Sequence, residues 1–264
     1  MKASRIILTG ASEGIGRALA LELAARGTHL SLAARDRSRL ETLAQECRAL
    51  GAEAHVVPTD VTNPQDCERL VDETVAVFGG IDVFIHNAGI TMWSRFDALG
   101  DLSILSRLMD VNYLAPARLT ALALPHLKQS KGLLVAVASL AGLTGVPERS
   151  GYAASKHAMI GFFDSLRIEL SGTGVDVSVI APDFVVSEIH KRAIGADGKP
   201  LGTSPMMQSK IMTARDCAAR IVRAIDRRER LVLMSTRGKL GRWLKLLAPS
   251  VIDRIAEKAI RQRH

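Results

Sequence analysis

The chain has 264 residues, 47% of them hydrophobic, with no low-complexity tract; this is ample for a substantial core and fits one large α/β domain or two small ones. Its three cysteines (Cys47, Cys67, Cys217) lack metal-ligand spacing, MKASRIILTG lacks a leader-like apolar core, and no run approaches the roughly 18 apolar residues of a membrane span, so reduced thiols, no bound metal and a cytoplasmic address are expected. The net charge of +8 resides mostly in residues 235–264, where eight Lys or Arg against two acids give +6, and the 27 basic and 25 acidic residues before them leave only +2, which speaks against a nucleic-acid partner.

Arg5 to Thr9 reads as a short apolar strand running into TGASEGIG, and Arg17 to Arg26 continues as a helix. Strand, glycine turn and helix form the context in which such a turn binds a dinucleotide. Gly10 permits the tight turn, Gly14 lets backbone approach a pyrophosphate, and Gly16 allows close packing. The helix start, with Ser12, Glu13 and Ile15, offers N–H groups to the anion. The second strand, HLSLAA, ends at Arg35, followed by Asp36, Arg37 and a helix to Leu50. An acid at this strand end binds the ribose hydroxyls of NAD, whereas an arginine meets the 2′-phosphate of NADP. Arg35 favours NADP(H), with Arg37 or Arg39 assisting, and Asp36 keeps NAD(H) open.

Ala54 to Val57 makes the third strand, with Asp60 and Val61 beyond it where an adenine ring would lie. Asn63 and Pro64 open the next helix as cap and first-turn residue. Ile81 to Ile85 is the fourth strand, ending in His86, Asn87, Ala88 and Gly89, whose small residues let the loop come close to a cofactor. His86 is expected to pack or hydrogen-bond. Leu105 to Leu124 reads as one long helix, in which the Asn112 amide competes with the backbone and is expected to kink the helix and hold a water.

Leu133 to Ala138 reads as a buried fifth strand that delivers the Ser139 hydroxyl to its C-terminal end, where open α/β sheets bind ligands. Tyr152 and Lys156 are i and i+4 on a helix, so the ammonium sits beside the ring and favours the phenolate form. Val175 to Ile180 is the sixth strand. Residues 183–212, rich in Gly and Pro, form an expected lid. Phe184, Val185, Ile189, Ile194, Met206 and Met207 are expected to face a substrate, joined by Met92, Trp93, Leu143 and Val146. If they do, the substrate is apolar or lipid-like.

Asp216 to Asp226 is another helix and Leu231 to Met234 a last strand, closing a domain of residues 1–235. In the basic tail, 236–264, Leu240, Trp243, Leu244 and Leu247 fall at helical spacing opposite Lys239, Arg242 and Lys245, and Pro249 breaks the run. Such a helix lies on an anionic membrane surface, or packs as an arm on its own domain or a sister subunit.

TGASEGIG, Asp60-Val61, Asn87-Ala88-Gly89, Asn112, Ser139, and Tyr152 with Lys156 stand in the order and spacing of the short-chain dehydrogenase/reductase family, and the resemblance covers about residues 5–235. It implies a Rossmann-like, doubly wound, seven-stranded parallel sheet in the order 3-2-1-4-5-6-7 with helices on both faces. It also implies a nicotinamide cofactor, a tetrad of Asn112, Ser139, Tyr152 and Lys156, and a homodimer or homotetramer. Two positions depart from the family pattern: His86 stands where Asn is usual, and Asp183 follows Pro182 where Gly is usual. Asp183 brings a carboxylate near the nicotinamide and the substrate, unless it turns to solvent. Ser187 replaces the commoner Thr, with its hydroxyl near the carboxamide. The expected reaction is NADP(H)-dependent reduction of a ketone or aldehyde, or its reverse, with Tyr152 as acid and Ser139 as hydrogen-bond donor. The alternatives are an NAD-dependent hydroxysteroid or alcohol dehydrogenase and a nicotinamide-sensing binding protein without turnover.

Overall fold

Short runs of Val, Ile, Leu and Ala that are apolar on both faces make strands buried from both sides, the habit of parallel sheets. In the computed structural model, which describes residues 3–204 and 211–261, they are β1 (Arg5–Thr9), β2 (His29–Ala34), β3 (Glu53–Pro58), β4 (Val83–His86), β5 (Leu133–Val137), β6 (Asp176–Ala181) and β7 (Leu231–Leu233). They form one sheet in the order β3-β2-β1-β4-β5-β6-β7, every pairing parallel, as the resemblance implies. Ile6 of β1 pairs with Leu30 on one side and Val83 on the other. The strand order reverses between β1 and β4, which opens a crevice at their C-terminal ends.

The helices are α1 (Gly14–Ala24), α2 (Arg37–Ala49), α3 (Pro64–Phe78), α4 (Ser103–Met109), α5 (Ala115–Ser130), α6 (Ser150–Glu169), α7 (Ala214–Arg227), α8 (Thr236–Leu247) and α9 (Pro249–Arg261). Alternation along β1 divides the core in two. Ile6 and Leu8 join Leu19, Leu23, Ile221 and Ile225 beneath α1 and α7, whereas Ile7 joins Leu70, Leu119, Leu127 and Phe163 beneath α3, α5 and α6. A third cluster, with Met92, Ile104, Leu108, Tyr152 and Ile194, sits under the crevice.

The Asn63 side chain caps α3 by accepting from the Gln65 and Asp66 N–H groups at 2.9 and 3.3 Å, with Pro64 in the first turn. The expected helix from Leu105 to Leu124 is longer and not uniform: α4 and α5 are joined by a π-helical turn, Asp110–Leu114, and α5 runs through Pro125 to Ser130. That turn carries Asn112, and its extra residue re-aims the amide toward the crevice side of the helix. His86 packs as expected: it is fully buried, stacked on Phe84 at 4.3 Å, and its Nε2 lies 3.0 Å from the Thr120 hydroxyl.

Beyond β7 the chain does not leave the domain. The Ser235 and Arg237 side chains bind Asp183, Lys245 Nζ donates to the Leu143 carbonyl at 2.8 Å, and Gly238 lies so close to Leu140 that a Cβ would meet it at 2.6 Å. Through these contacts α8 packs on its own domain. The opposite side of α8 and the turn into α9 leave Leu240 69%, Trp243 65%, Leu246 69% and Leu247 82% exposed.

Candidate active site

Thr9 ends β1, and the glycine turn after it is held from the β4 side. Thr9 Oγ1 donates to the Ile85 carbonyl at 3.2 Å and accepts from the N–H groups of Asn87 and Ala88 at 3.0 and 3.1 Å. The Asn87 amide donates to the Thr9 and Gly10 carbonyls at 3.0 and 3.1 Å, so its side chain clamps the turn instead of facing a ligand. Gly10 has φ +65°, and a Cβ on Gly16 would stand 2.0 Å from the Gly10 oxygen, so neither position admits a side chain. Glu13, at the N-cap of α1, makes no capping bond, which leaves the first N–H groups of the helix for an anion. This bare cradle fits the pyrophosphate of a dinucleotide. Ser187 sits across from Gly14, whose Cβ would lie 3.1 Å from the serine Cβ.

Toward the adenosine end, Arg35 is exposed, lines the crevice and makes no ion pair among the described residues. Asp36 is committed elsewhere: it caps α2, accepting from Arg39 N–H at 3.1 Å and the Ser38 hydroxyl at 2.8 Å. The Ser38 hydroxyl, with the Arg39 N–H, holds its carboxyl below the usual range. Asp60 accepts from the Thr62 N–H and hydroxyl at 2.9 and 2.7 Å. Glu13 is shared: one oxygen meets Arg39 at 3.1 Å and also Arg192, from the segment after β6.

At the other end, α6 presents Tyr152, 7% exposed, with Lys156 one turn on and its Nζ 6.0 Å from the ring centroid. The ammonium donates to the Val137 carbonyl at 3.0 Å, and burial pushes its pKa down. Asn112 is fully buried: its oxygen accepts from Ile90 N–H at 2.9 Å, and its nitrogen donates to the Ile90 carbonyl and the Ser155 hydroxyl, each at 2.9 Å. Both of its amide hydrogens are spent, so only its oxygen can still receive a water. A Cβ on Gly89 would stand 3.1 Å from that oxygen and 3.6 Å from Lys156 Nζ, so the two groups converge at this glycine. Ser139 follows β5, and its oxygen accepts from Ala141 N–H at 3.2 Å.

One cavity of about 910 Å³ runs from the cradle to Tyr152. That is near the top of the range of about 300–1,000 Å³ for small-molecule sites. Gly10, Ser12 to Gly16, Arg35, Asp60, Val61, Asn87, Ala88, Gly89, Ser139, Tyr152, Lys156, Pro182, Val185 and Ser187 line it, with Trp93, Val146, Asp183 and Phe184 on the substrate side. Three expected residues do not. Asn112 lies behind the wall, and Met92 is fully buried in the cluster beneath Tyr152, opposite Ile194, so both Met92 and Ile194 are packing residues rather than substrate contacts. Met206 and Met207 lie outside the described residues. Asp183 faces the cavity but is paired with Arg237 at 2.8 and 3.0 Å and with Ser235 at 2.8 Å, so it brings no unbalanced charge. Sequence reasoning missed the inner side of α8 and α9, where Gly241, Arg242, Ile252 and Ala256 complete the wall, and Arg149, three residues before Tyr152. The only sequence signal for Arg149 is a cation within the stretch already singled out.

The chain matches the family model for short chain dehydrogenase over residues 4–196. It is 38% identical over 251 residues to 11-beta-hydroxysteroid dehydrogenase-like 4A of Arabidopsis thaliana, covering 94% of this chain and 81% of that protein. It is 36% identical over 255 residues to 11-beta-hydroxysteroid dehydrogenase 1A of the same plant, covering 94% and 73%. Among solved structures, a short chain dehydrogenase/reductase from Burkholderia phymatum in complex with NAD superposes with TM-score 0.84 at 25% identity, covering 95% of each chain. An alcohol dehydrogenase from the archaeon Thermococcus sibiricus complexed with 5-hydroxy-NADP superposes with TM-score 0.73 at 26% identity, covering 84% and 90%. With the sheet order, the glycine cradle and the Tyr152–Lys156 helix in place, the chain belongs to the short-chain dehydrogenase/reductase family of oxidoreductases, which act on hydroxyl and carbonyl groups with a nicotinamide cofactor.

Proposed function

We propose that this chain is an NADP(H)-dependent oxidoreductase that reduces a ketone or aldehyde to an alcohol, or runs the reverse, on an apolar substrate. The observation that carries the reading is that Ser139, Tyr152 and Lys156 line the same cavity as the anion cradle at Gly10 to Gly16, with Asn112 behind Lys156. A nicotinamide dinucleotide bound along it supplies the hydride. Tyr152 gives its hydroxyl proton to the carbonyl oxygen, and Ser139 hydrogen-bonds that oxygen, so developing negative charge is met without a metal. Lys156, buried and cationic, favours the phenolate left behind, and a water on the Asn112 oxygen returns the proton.

NADP(H) is favoured by Arg35, exposed in the cavity and without an ion pair among the described residues, together with the Asp36 carboxylate, which is spent on capping α2. Trp93, Leu143, Val146, Phe184 and Ile252 support an apolar substrate, as do relatives named for hydroxysteroids. Residues 183–204 and 211–212 act as the lid, the intervening 205–210 lying outside the described residues, and the chain works as a homodimer or homotetramer in the cytoplasm. Leu240, Trp243, Leu246 and Leu247, beside Lys239 and Arg242, support peripheral contact with an anionic membrane.

The deciding experiment compares NADPH and NADH consumption across a panel of carbonyl compounds, with Tyr152→Phe as control. Turnover of ketones with NADPH, abolished in the variant while NADPH still binds, is the expected result. Undiminished turnover in the variant would overturn the role of Tyr152, and a preference for NADH would overturn the cofactor assignment.

A further inference from the structure

Arg149 begins the turn into α6, yet only 5% of it is exposed. Its guanidinium carbon lies 4.3 Å from the Tyr152 ring centroid, 5.4 Å from that of Trp93 and 5.6 Å from that of Phe184. Nη2 donates to the Thr91 hydroxyl at 2.6 Å, whereas Nε is buried with no acceptor. No carboxylate among the described residues forms an ion pair with it. The acids nearby are engaged: Glu148 accepts from the Trp93 indole N–H at 3.0 Å, and Asp183 is bound by Arg237 and Ser235. The other groups facing this corner, Lys156 and His190, are bases, both buried.

A buried cation without a counter-ion is unfavourable unless something meets it. The three rings offset part of that cost through their faces. The Tyr152 hydroxyl meets part of the N–H edge of the fork, but Nε keeps no acceptor, and it belongs to the edge that recognises carboxylates. Arg149 also lines the cavity, beside the hydroxyl that serves the carbonyl.

We propose that Arg149 anchors a carboxylate of the substrate, and that the substrate is an apolar oxo acid whose reacting carbonyl stands one or two carbons from that carboxylate. This deepens the proposed activity and rests on it. The short spacing follows from the guanidinium lying against the ring of Tyr152, so that one molecule reaches both groups. Trp93, Phe184 and Val146 then receive the apolar body.

The test uses β-oxodecanoate and methyl β-oxodecanoate with NADPH, in the full-length wild type and in Arg149→Met and Arg149→Lys. The wild type is expected to favour the acid over the ester in kcat/KM by about tenfold or more. In Arg149→Met that ratio falls toward unity, and Arg149→Lys restores part of it. A ratio unchanged by Arg149→Met, or a wild-type preference for the ester, would overturn the anchor. Calorimetry of decanoate with the NADPH-loaded protein reads the anchor without turnover: binding about tenfold weaker in Arg149→Met supports it, and equal binding overturns it. Ester turnover reports separately on the proposed activity, and NADPH binding with an unchanged circular dichroism spectrum establishes that each variant is folded.

Discussion

Arg237 reaches from the start of α8 to Asp183 after β6, its Nη2 donating to both carboxylate oxygens at 2.8 and 3.0 Å while the Ser235 hydroxyl binds the same carboxylate at 2.8 Å. The acid that departs from the family pattern is therefore one fastening point of α8, beside the Lys245–Leu143 bond and the Gly238–Leu140 contact. Asp183→Gly, the family's usual residue, should loosen α8 from the cavity wall. We expect faster limited proteolysis near residues 235–239 and a severalfold rise in KM for apolar ketones. Global stability should fall by no more than about 1 kcal/mol, because Arg237 is largely exposed. Equal proteolysis rates would show that the pair does not hold the helix.

Arg35→Ser should raise the Kd for NADPH by about tenfold to hundredfold and leave that for NADH nearly unchanged, since only the 2′-phosphate loses its charge-assisted partner. Fluorescence titration with the two cofactors checks this. An equal loss for both would remove Arg35 from cofactor choice.

Asn112→Ala leaves the Ile90 N–H and carbonyl without their buried partner. Each unsatisfied group costs about 1–3 kcal/mol, so the urea midpoint should fall markedly. Asn112→Asp is the sharper probe: its carboxylate still accepts from Ile90 N–H but cannot donate to the Ile90 carbonyl. It should be destabilised as well, and a wild-type midpoint for it would contradict the bonding described.

Burial drives the His86 pKa down to about 3. The native protein thus keeps this imidazole neutral while the unfolded chain takes up a proton below the ordinary value of about 6.5. Stability contributed by the neutral ring is fully present above pH 6.5 and is lost as pH falls from there toward 3. His86→Asn should show a shallower decline of unfolding free energy over that window. Parallel curves for the two proteins would remove His86 as the cause.

Deleting residues 238–264 should abolish sedimentation of the protein with vesicles rich in anionic lipid, if the exposed leucines and Trp243 are what meets the surface. Equal binding by both forms would leave that contact without support.

The strands and most of the crevice were legible because each rests on local pattern: apolar runs, a glycine turn, and a tyrosine and lysine one turn apart; the strand order followed only from the family resemblance that those motifs carry. What escaped depends on tertiary contact. Met92 and Trp93 are adjacent in the chain, and nothing in their composition says that the first is sealed beneath Tyr152 while the second lines the cavity. Asp183 looked like a stray carboxylate, since its partner lies 54 residues on. Asn112 was noticed as an oddity within an apolar helix, but that a π-helical turn resolves it is a matter of backbone geometry. The tail showed an amphipathic period without showing that one side would be used by the cleft.

The carboxylate of Glu13 binds Arg39, beside the adenosine end, and Arg192, beyond β6, at once. If the proposed lid swings outward at residues 183–204, Arg192 must let go, and Arg39 inherits the whole of that negative charge just where a phosphate would otherwise claim it. Release of the alcohol product is thereby tied to a weaker grip on the nucleotide. Steady-state kinetics should accordingly follow a compulsory sequence, dinucleotide first on and last off.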